Sequence, residues 1–502
     1  MLFFPTADED FQYFRSQGYY GSLNDMHYKA LGDLGYTGSL TDRIHAYLIF
    51  TYGSYYEAMR GLRNGTLTFA LGPSYPVNGF DPAFVLDFKS SYYRKGGSDS
   101  TLSGTITHAR ASSATMTNSD GDLVTVGNDV AREGNHIYNG TAWVNEGILH
   151  ESEARTNLAT YSNTFSNSAW SRASMSAPPQ NVTGPDGTTS GWTITANASG
   201  ARIEETFTVA TSSPYVYSIY AKAGTTDFLY LFPVLFTTPD NSAGVWFDLT
   251  NGTVGTQQDT TVIGQIADAG NGWFRCSIYL TTTDSSDTSG VIRNIISKGD
   301  AQNSCDTGDT LLIYGAQFEL GSTPSSYIPT SGSTATRAAE TLIIPAANLP
   351  YSSSNMSIQM DGKMTYADNG RSAGTGSAGE LCYFAWLASS TNYISAVLST
   401  GGSATGTPVF LQEASNIRDV VVASSVYSPD INLPFNLASR HGATFLNGAV
   451  DGTALTANTT PVALPVLSST DFKLGFDFMG TINKLRIWDE DLTDSGIEEA
   501  SS

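Results

Sequence analysis

Two stretches of the sequence set an aromatic side chain two positions from a charged one, a spacing that suits sugar recognition. In "VWFDL" these are Trp246 and Asp248, and in "WFRCSIYL" they are Trp273 and Arg275, with Tyr279 further along. Sugars are held by aromatic faces against their C–H groups and by planar hydrogen-bonding side chains that fix orientation. If Val245, Phe247 and Leu249 face a core, strand alternation turns Trp246 and Asp248 outward; with Phe274, Cys276, Ile278 and Leu280 inward, Trp273, Arg275 and Tyr279 share an outward face. An outward Trp is either used or covered, by a loop or by a neighbouring subunit. The candidate glycan-binding residues are therefore Trp246, Asp248, Trp273, Arg275 and Tyr279.

Catalytic constellations are harder to find. The sequence holds no G-x-S-x-G, H-E-x-x-H, G-x-x-x-x-G-K-[ST] or C-x-x-C. "GTGSAG" at Gly374–Gly379 matches the dinucleotide fingerprint in letters only, because a strand and not a helix follows it. The six His are scattered, and His27 and His45 have no second ligand one helical turn away. Cys276, Cys305 and Cys382 are odd in number and lack metal-like spacing, which disfavours both a disulfide framework and a zinc site. Acidic residues are so abundant that no pair singles itself out as glycosidase acid and base. "NSDGD" at Asn118–Asp122 reads as a hairpin turn before a cation loop. No metal ligand or cofactor is assigned, and no enzyme activity is expected.

The elements carrying these residues are mostly strands. Asn-Gly pairs next to apolar or aromatic residues at Tyr138–Thr141, Thr250–Thr253, Asn271–Trp273 and Leu446–Ala449 signal hairpins. "PYVYSIYAKAG", "FLYLFPVLF", "LLIYGAQFEL" and, later, "MSIQMDGKM", "LCYFAWL" and "GTINKLRIW" add more strands. Trp386, in a stretch apolar on both faces, is expected in the core, and Trp488 is expected to pack the last strand on its sheet. Residues 1–75 are the one segment with convincing helical character, the near-repeat "GYYGSLND" and "GYTGSLTD" supplying N-caps for short helices, and "DLTDSGIEEA" closes the chain as a short capped helix or turn. The fold class is mainly β: a small helical N-terminal domain followed by two antiparallel sandwiches of jelly-roll type.

Composition agrees. Asp and Glu total 47 against 25 Lys and Arg, a net charge of −22 that repels phosphate backbones and anionic lipid, so neither nucleic acid nor membrane insertion is expected. The 49 Gly, 26 Tyr and 24 Phe suit an all-β extracellular or virion protein. The opening "MLFFPTADEDF" lacks a basic leader region, so synthesis in a cytoplasm without a secretory signal is the expectation.

"ITHARASSATMTNSDGDLVTV" with "ESEARTNLATYSNTFSNSAWS" resembles the linking segment of bacteriophage tail, fibre and head-spike proteins. "YVYSIYAKAG", "WFDLTNGTVG" and "AGNGWFRCSIYL" are similar to the jelly-roll domain of such proteins, itself related to carbohydrate-binding modules. "ASRHGATFLNGAVDG" with "MGTINKLRIWDEDLTDSGIEEA" resembles concanavalin A-like (laminin-G-like) lectin domains. The resemblance implies a helical virion anchor over 1–75, a β-rich linking segment over 76–154, a carbohydrate-binding-module-like jelly roll over 155–340 and a lectin domain over 341–502. It implies a homotrimeric fibre, spike or decoration protein of the virion, contacting other virion proteins through residues 1–75 and host-surface glycan through the sandwiches. A purely architectural protein and a polysaccharide-degrading tail enzyme are the alternatives. Ca²⁺ is common in both resembled domain types, and the sequence assigns it no ligands.

Overall fold

Short alternating strands closed by left-handed turns build sheets and little else. The computed structural model describes residues 75–234, 236, 243–280, 283–365, 380–400, 406–428 and 430–502. The doubled octapeptide, His27, His45, the helices expected before residue 75 and the Gly374–Gly379 loop lie outside the described residues.

The central part is a jelly roll of two six-stranded antiparallel sheets. One runs in the order Ser171–Ala173, Arg202–Thr208, Ser289–Ser297, Phe228–Val234, Val245–Asp248 and Thr253–Gln257. The other runs Gln180–Val182, Gly191–Thr195, Thr310–Leu320, Tyr215–Ala223, Trp273–Leu280 and Val262–Asp268. The inward residues, among them Ile203, Phe207, Tyr217, Ile219, Leu229, Phe247, Ile278 and Phe318, form one buried core. The turn before Trp273 has Asn271 at φ 54° and Gly272 at φ 78°, the conformation an Asn-Gly hairpin demands.

The second sandwich packs a ten-stranded sheet on a seven-stranded one. Trp386 is fully buried between them, as its two-sided apolar strand requires, and its Nε1 donates to the Thr470 carbonyl at 2.9 Å. Trp488 is buried on the outer side of its sheet, beneath the C-terminal helix Thr493–Ala500.

The linking segment expected over 76–154 is not a separate piece. Six of its strands belong to the second sandwich: Phe84–Asp87, Tyr92–Lys95, Ser98–Ser100, Arg132–Glu133 and Ile148–Glu151 join the ten-stranded sheet, and Thr107–Ala109 joins the seven-stranded one. Phe84, Leu86 and Ile148 sit in the same core as Met356, Ile358 and Ile487. The second sandwich is therefore discontinuous in sequence and the jelly roll is inserted into it. Entry strand Arg155–Asn157 and exit strand Ala335–Arg337 pair antiparallel as a two-stranded neck. A second correction concerns "LNGA". Leu446–Val450 is a buried strand and not a turn, and Gly448 is there because the Phe410 ring would lie 2.1 Å from an added Cβ.

Where the neck meets the second sandwich, charges are buried. Glu340 Oε1 accepts from Arg110 Nη1 at 2.5 Å and Arg132 Nε at 3.0 Å, and Oε2 accepts from Arg132 Nη2 at 2.7 Å and the Glu151 amide at 2.8 Å. Glu151 pairs with Arg132 at 2.7 Å and Arg337 at 3.0 Å. Burial opposes ionisation of Glu151, but Arg337 and Arg132 outweigh it and hold the carboxyl down at about 2. Burial likewise opposes charge on Glu340, and His108 and Arg132 hold it far below the usual range. Burial pushes His150 down to about 4 against the pull of Glu340, and His441 down to about 3.

Glu340→Gln strands Arg110 and Arg132 in the interior with too little counter-charge. It should cost about 3–5 kcal/mol in a denaturant titration, the range for breaking one side of a buried ion network. A loss no larger than that of an exposed Glu→Gln control would contradict the network's role. The pH dependence follows from linkage. Glu151 and Glu340, depressed below 4.5, contribute stability that is lost as pH falls from 4.5 through their folded values. His150 and His441, depressed below 6.5, lose theirs from 6.5 down to about 4 and about 3. Glu205, raised by burial to about 7, acts oppositely, contributing stability below 4.5 that is lost as pH rises through 7. It offsets part of the histidine loss between 4.5 and 6.5. Unfolding midpoints measured across pH 7 to 3 should therefore fall most steeply below about pH 4.5.

Candidate functional site

A cleft of about 410 Å³ opens where the two sandwiches meet. One wall is built by two short hairpins, Ala114–Thr117 with Leu123–Val126 and His136–Tyr138 with Trp143–Asn145. The opposite wall is the jelly-roll edge formed by Val262–Asp268 and Trp273–Leu280, and residues 430–432 of the second sandwich close one side. Both hairpins have self-capped turns. Asn118 Oδ1 accepts from the amides of Asp120 and Asp122 at 3.0 and 2.8 Å, so "NSDGD" is the turn its sequence suggests. Asn139 Oδ1 accepts from the amides of Thr141 and Ala142 at 3.0 and 2.9 Å, with Gly140 at φ 93°.

That second turn sets Tyr138 directly across from Trp143, ring centroids 5.2 Å apart. The indole lies in a slot made by two left-handed glycines. A Cβ on Gly121 would fall 2.1 Å from it and one on Gly270 2.2 Å, so both positions must lack a side chain. Trp143, Tyr138 and His136 are each half-buried, which leaves part of every ring open to the cleft. His136 Nδ1 lies 2.7 Å from the Gly134 carbonyl, which can only accept, so Nδ1 carries the proton and Nε2 is left as an acceptor in the neutral ring. Across the cleft Arg275 lies over the Tyr220 ring at 5.4 Å, with Nη1 donating to the Ser325 carbonyl at 2.7 Å and Nη2 to Ser218 Oγ at 3.0 Å. Asp268 and Asp430 stand exposed on the lining.

The five residues expected to bind glycan are not brought together, and only Arg275 reaches the cleft. Trp246 and Trp273 do point away from the jelly-roll core, as alternation requires, but they are covered, at 3% and 2% exposure. Trp246 stacks on Tyr230 with centroids 3.8 Å apart and planes within 6°, and its Nε1 donates to the Gln302 carbonyl at 3.0 Å. Trp273 packs with Tyr220, Tyr314 and Tyr327 under Leu123 and Val182, its Nε1 donating to the Thr183 carbonyl at 3.2 Å. Tyr279 is buried on the same face. Asp248 caps its own hairpin, accepting from the Thr250 and Asn251 amides at 2.9 Å each; slight burial opposes its charge, and these bonds with the Asn251 side chain hold its pKa below the usual value. The outer face carrying Trp273 is an internal interface, which a strand pattern cannot reveal. Tyr138 and Trp143 were legible only as turn flanks. The available signal was two large aromatics opposed across a tight Asn-Gly turn, on a hairpin too small to bury both.

Among the described residues, no group of three or more His, Cys, Asp or Glu is placed to hold a metal ion, and no helix is long and apolar enough to cross a membrane. No protein-family model matches the chain, and no curated protein does. Solved structures match over about a third of it. The CBM40 domain of a Ruminococcus gnavus IT-sialidase bound to alpha2,3 sialyllactose is similar at 8% identity and TM-score 0.23, covering 30% of this chain and 83% of that one. Domain 4 of a GH43 extracellular arabinanase from Geobacillus stearothermophilus, in complex with arabinotriose, matches at 15% identity and TM-score 0.24, covering 32% and 73%. The botulinum neurotoxin serotype D binding domain matches at 12% identity and TM-score 0.24, covering 32% and 38%.

Trp246→Ala and Trp273→Ala should each destabilise the fold by about 3–5 kcal/mol, as truncating a buried aromatic does, and lower the melting temperature accordingly. An unchanged melting temperature in either variant would place that indole on an accessible surface instead.

Proposed function

We propose that the chain is a glycan-binding structural protein of a bacteriophage particle, with the cleft around Trp143 as its sugar site. The observation that carries the sugar reading is the pair Tyr138 and Trp143, ring centroids 5.2 Å apart, opening on a cleft that also offers Arg275, Asp268 and the His136 acceptor. A pyranose ring lies on such an aromatic surface through its C–H groups, while its hydroxyls bond the polar rim. Supporting the virion setting are the resemblance of residues 106–171 to phage linking segments and a surface strongly biased to acid. On this reading residues 1–75 mount the chain on the particle.

Self-association into a homotrimer belongs to the same proposal. The chain itself covers Trp246 and Trp273, but strand Ile417–Val422 lies at an edge of the seven-stranded sheet with Ile417, Val420 and Val422 largely exposed, an edge that proteins ordinarily blunt or cover. A second copy of this chain supplies that cover.

On a glycan array the full chain should retain a discrete set of ligands, and Trp143→Ala should weaken them about ten- to hundredfold, the loss for one stacking aromatic, with the fold intact by thermal scan. Binding unchanged in that variant would move the sugar site elsewhere, and release of reducing ends during incubation would make the chain a hydrolase. Val420→Lys with Val422→Lys should lower the mass measured by light scattering to that of one chain without lowering the melting temperature.

A further inference from the structure

The cleft's polar groups point to which glycans it accepts. Asp268 Oδ1 accepts from the Gly270 amide at 2.8 Å and Asp430 Oδ1 from the Ile431 amide at 2.7 Å, so each carboxylate is oriented by its own loop. Each Oδ2 has no hydrogen-bond partner among the described residues, and both side chains are exposed on the lining. His136, with its proton committed to the Gly134 carbonyl, adds a third acceptor. Among the described residues Arg275 is the one cation on the lining, and its fork is held by neighbouring oxygens. Nη1 and Nη2 donate to Ser325 and Ser218 respectively, and Nε is sealed from solvent with no hydrogen-bond partner among the described residues. An incoming carboxylate thus competes with Ser325 and Ser218 for the Arg275 fork, while it meets two carboxylates at the rim and the field of a chain of net charge −22.

We infer that the cleft selects uncharged, hydroxyl-rich glycans and rejects acidic ones. This rests on the sugar-binding reading of the cleft. Hydroxyl groups donate to Asp268, Asp430 and His136; a uronate or sialate presents acceptors to these acceptors and adds like-charge repulsion.

The test is a calorimetric titration of the full chain with matched pairs of oligosaccharides differing only in a hydroxymethyl or carboxylate group, at low and high salt. The uncharged member should bind at least about tenfold more tightly at low salt, the gap narrowing as salt screens the rim. In Asp268→Asn with Asp430→Asn the gap should shrink further, through a gain for the acidic member. Equal binding of both members, or a preference for the acidic one that Arg275→Gln abolishes, overturns the inference and leaves the sugar site standing. Binding of neither member, with a folded protein, overturns both.

Discussion

The structure depends on one buried carboxylate. Glu340, fully enclosed, is the point at which Arg110, Arg132 and the backbone of Glu151 converge, and those groups stand 189 to 230 positions away from it along the chain. Around it Arg110, Arg132, Arg155 and Arg337 face Glu151, Glu153, Glu319 and Glu340, all buried. With four charges of each sign the cluster is neutral overall, the condition under which ions are tolerated away from water. A network of this kind adds little net stability beside an apolar core of equal volume, yet any misdocked arrangement leaves charges unpaired at several kcal/mol each. Its contribution is therefore specificity. It fixes where the jelly roll sits on the sandwich into which it is inserted.

That fixed placement creates the cleft. The neck strands Arg155–Asn157 and Ala335–Arg337 hold the jelly roll by both ends, so its sheet of Trp273 and Arg275 is pressed against the hairpins of residues 114–145. Most of that face is covered, partly by Leu123 of the first hairpin and partly by the jelly roll's own loops, where Ser325 accepts from Arg275 and Thr183 from Trp273. Only at the sheet's outer edge do the surfaces diverge, and there Gly121 and Gly270 let the Trp143 ring lie close to both walls. The Trp143 site is assembled from three parts of the chain, and no isolated sandwich contains it.

The sequence carried the local chemistry well and the long-range pairing hardly at all. Alternation around Trp246 and Trp273 correctly separated inward from outward residues, because period two is a property of each strand alone. It was silent on what lies over the outward face, since cover comes from residues tens or hundreds of positions away. The same limit explains the linking segment: Phe84–Asp87 reads as a strand anywhere, and nothing local says that its partner is Met479–Trp488. Asn-Gly turns were reliable where flanking residues alternate, as before Trp273. They failed at Asn447–Gly448, where both residues are buried within a strand and glycine serves the Phe410 ring instead of a turn. The arginines and glutamates of "THAR" and "ESEAR" fall in stretches read as a linking segment, but their convergence with Arg337 and Glu340 on one point is a fact of topology.

Charge bookkeeping across the molecule links the junction to the cleft. The buried cluster withdraws equal numbers of acids and bases, so the whole excess of −22 falls on the rest of the chain, with four fewer cations there to temper it. Such a surface stays soluble and resists nonspecific attachment to anionic polymers. It also gains no electrostatic steering toward anionic surfaces, so under the proposed sugar-binding role contact would rest on short-range groups. An aromatic ring that stacks on C–H bonds and acceptors that take hydroxyl protons are the groups that work without a net positive field, and the described cleft gathers both kinds at Trp143, Tyr138, His136 and Asp268.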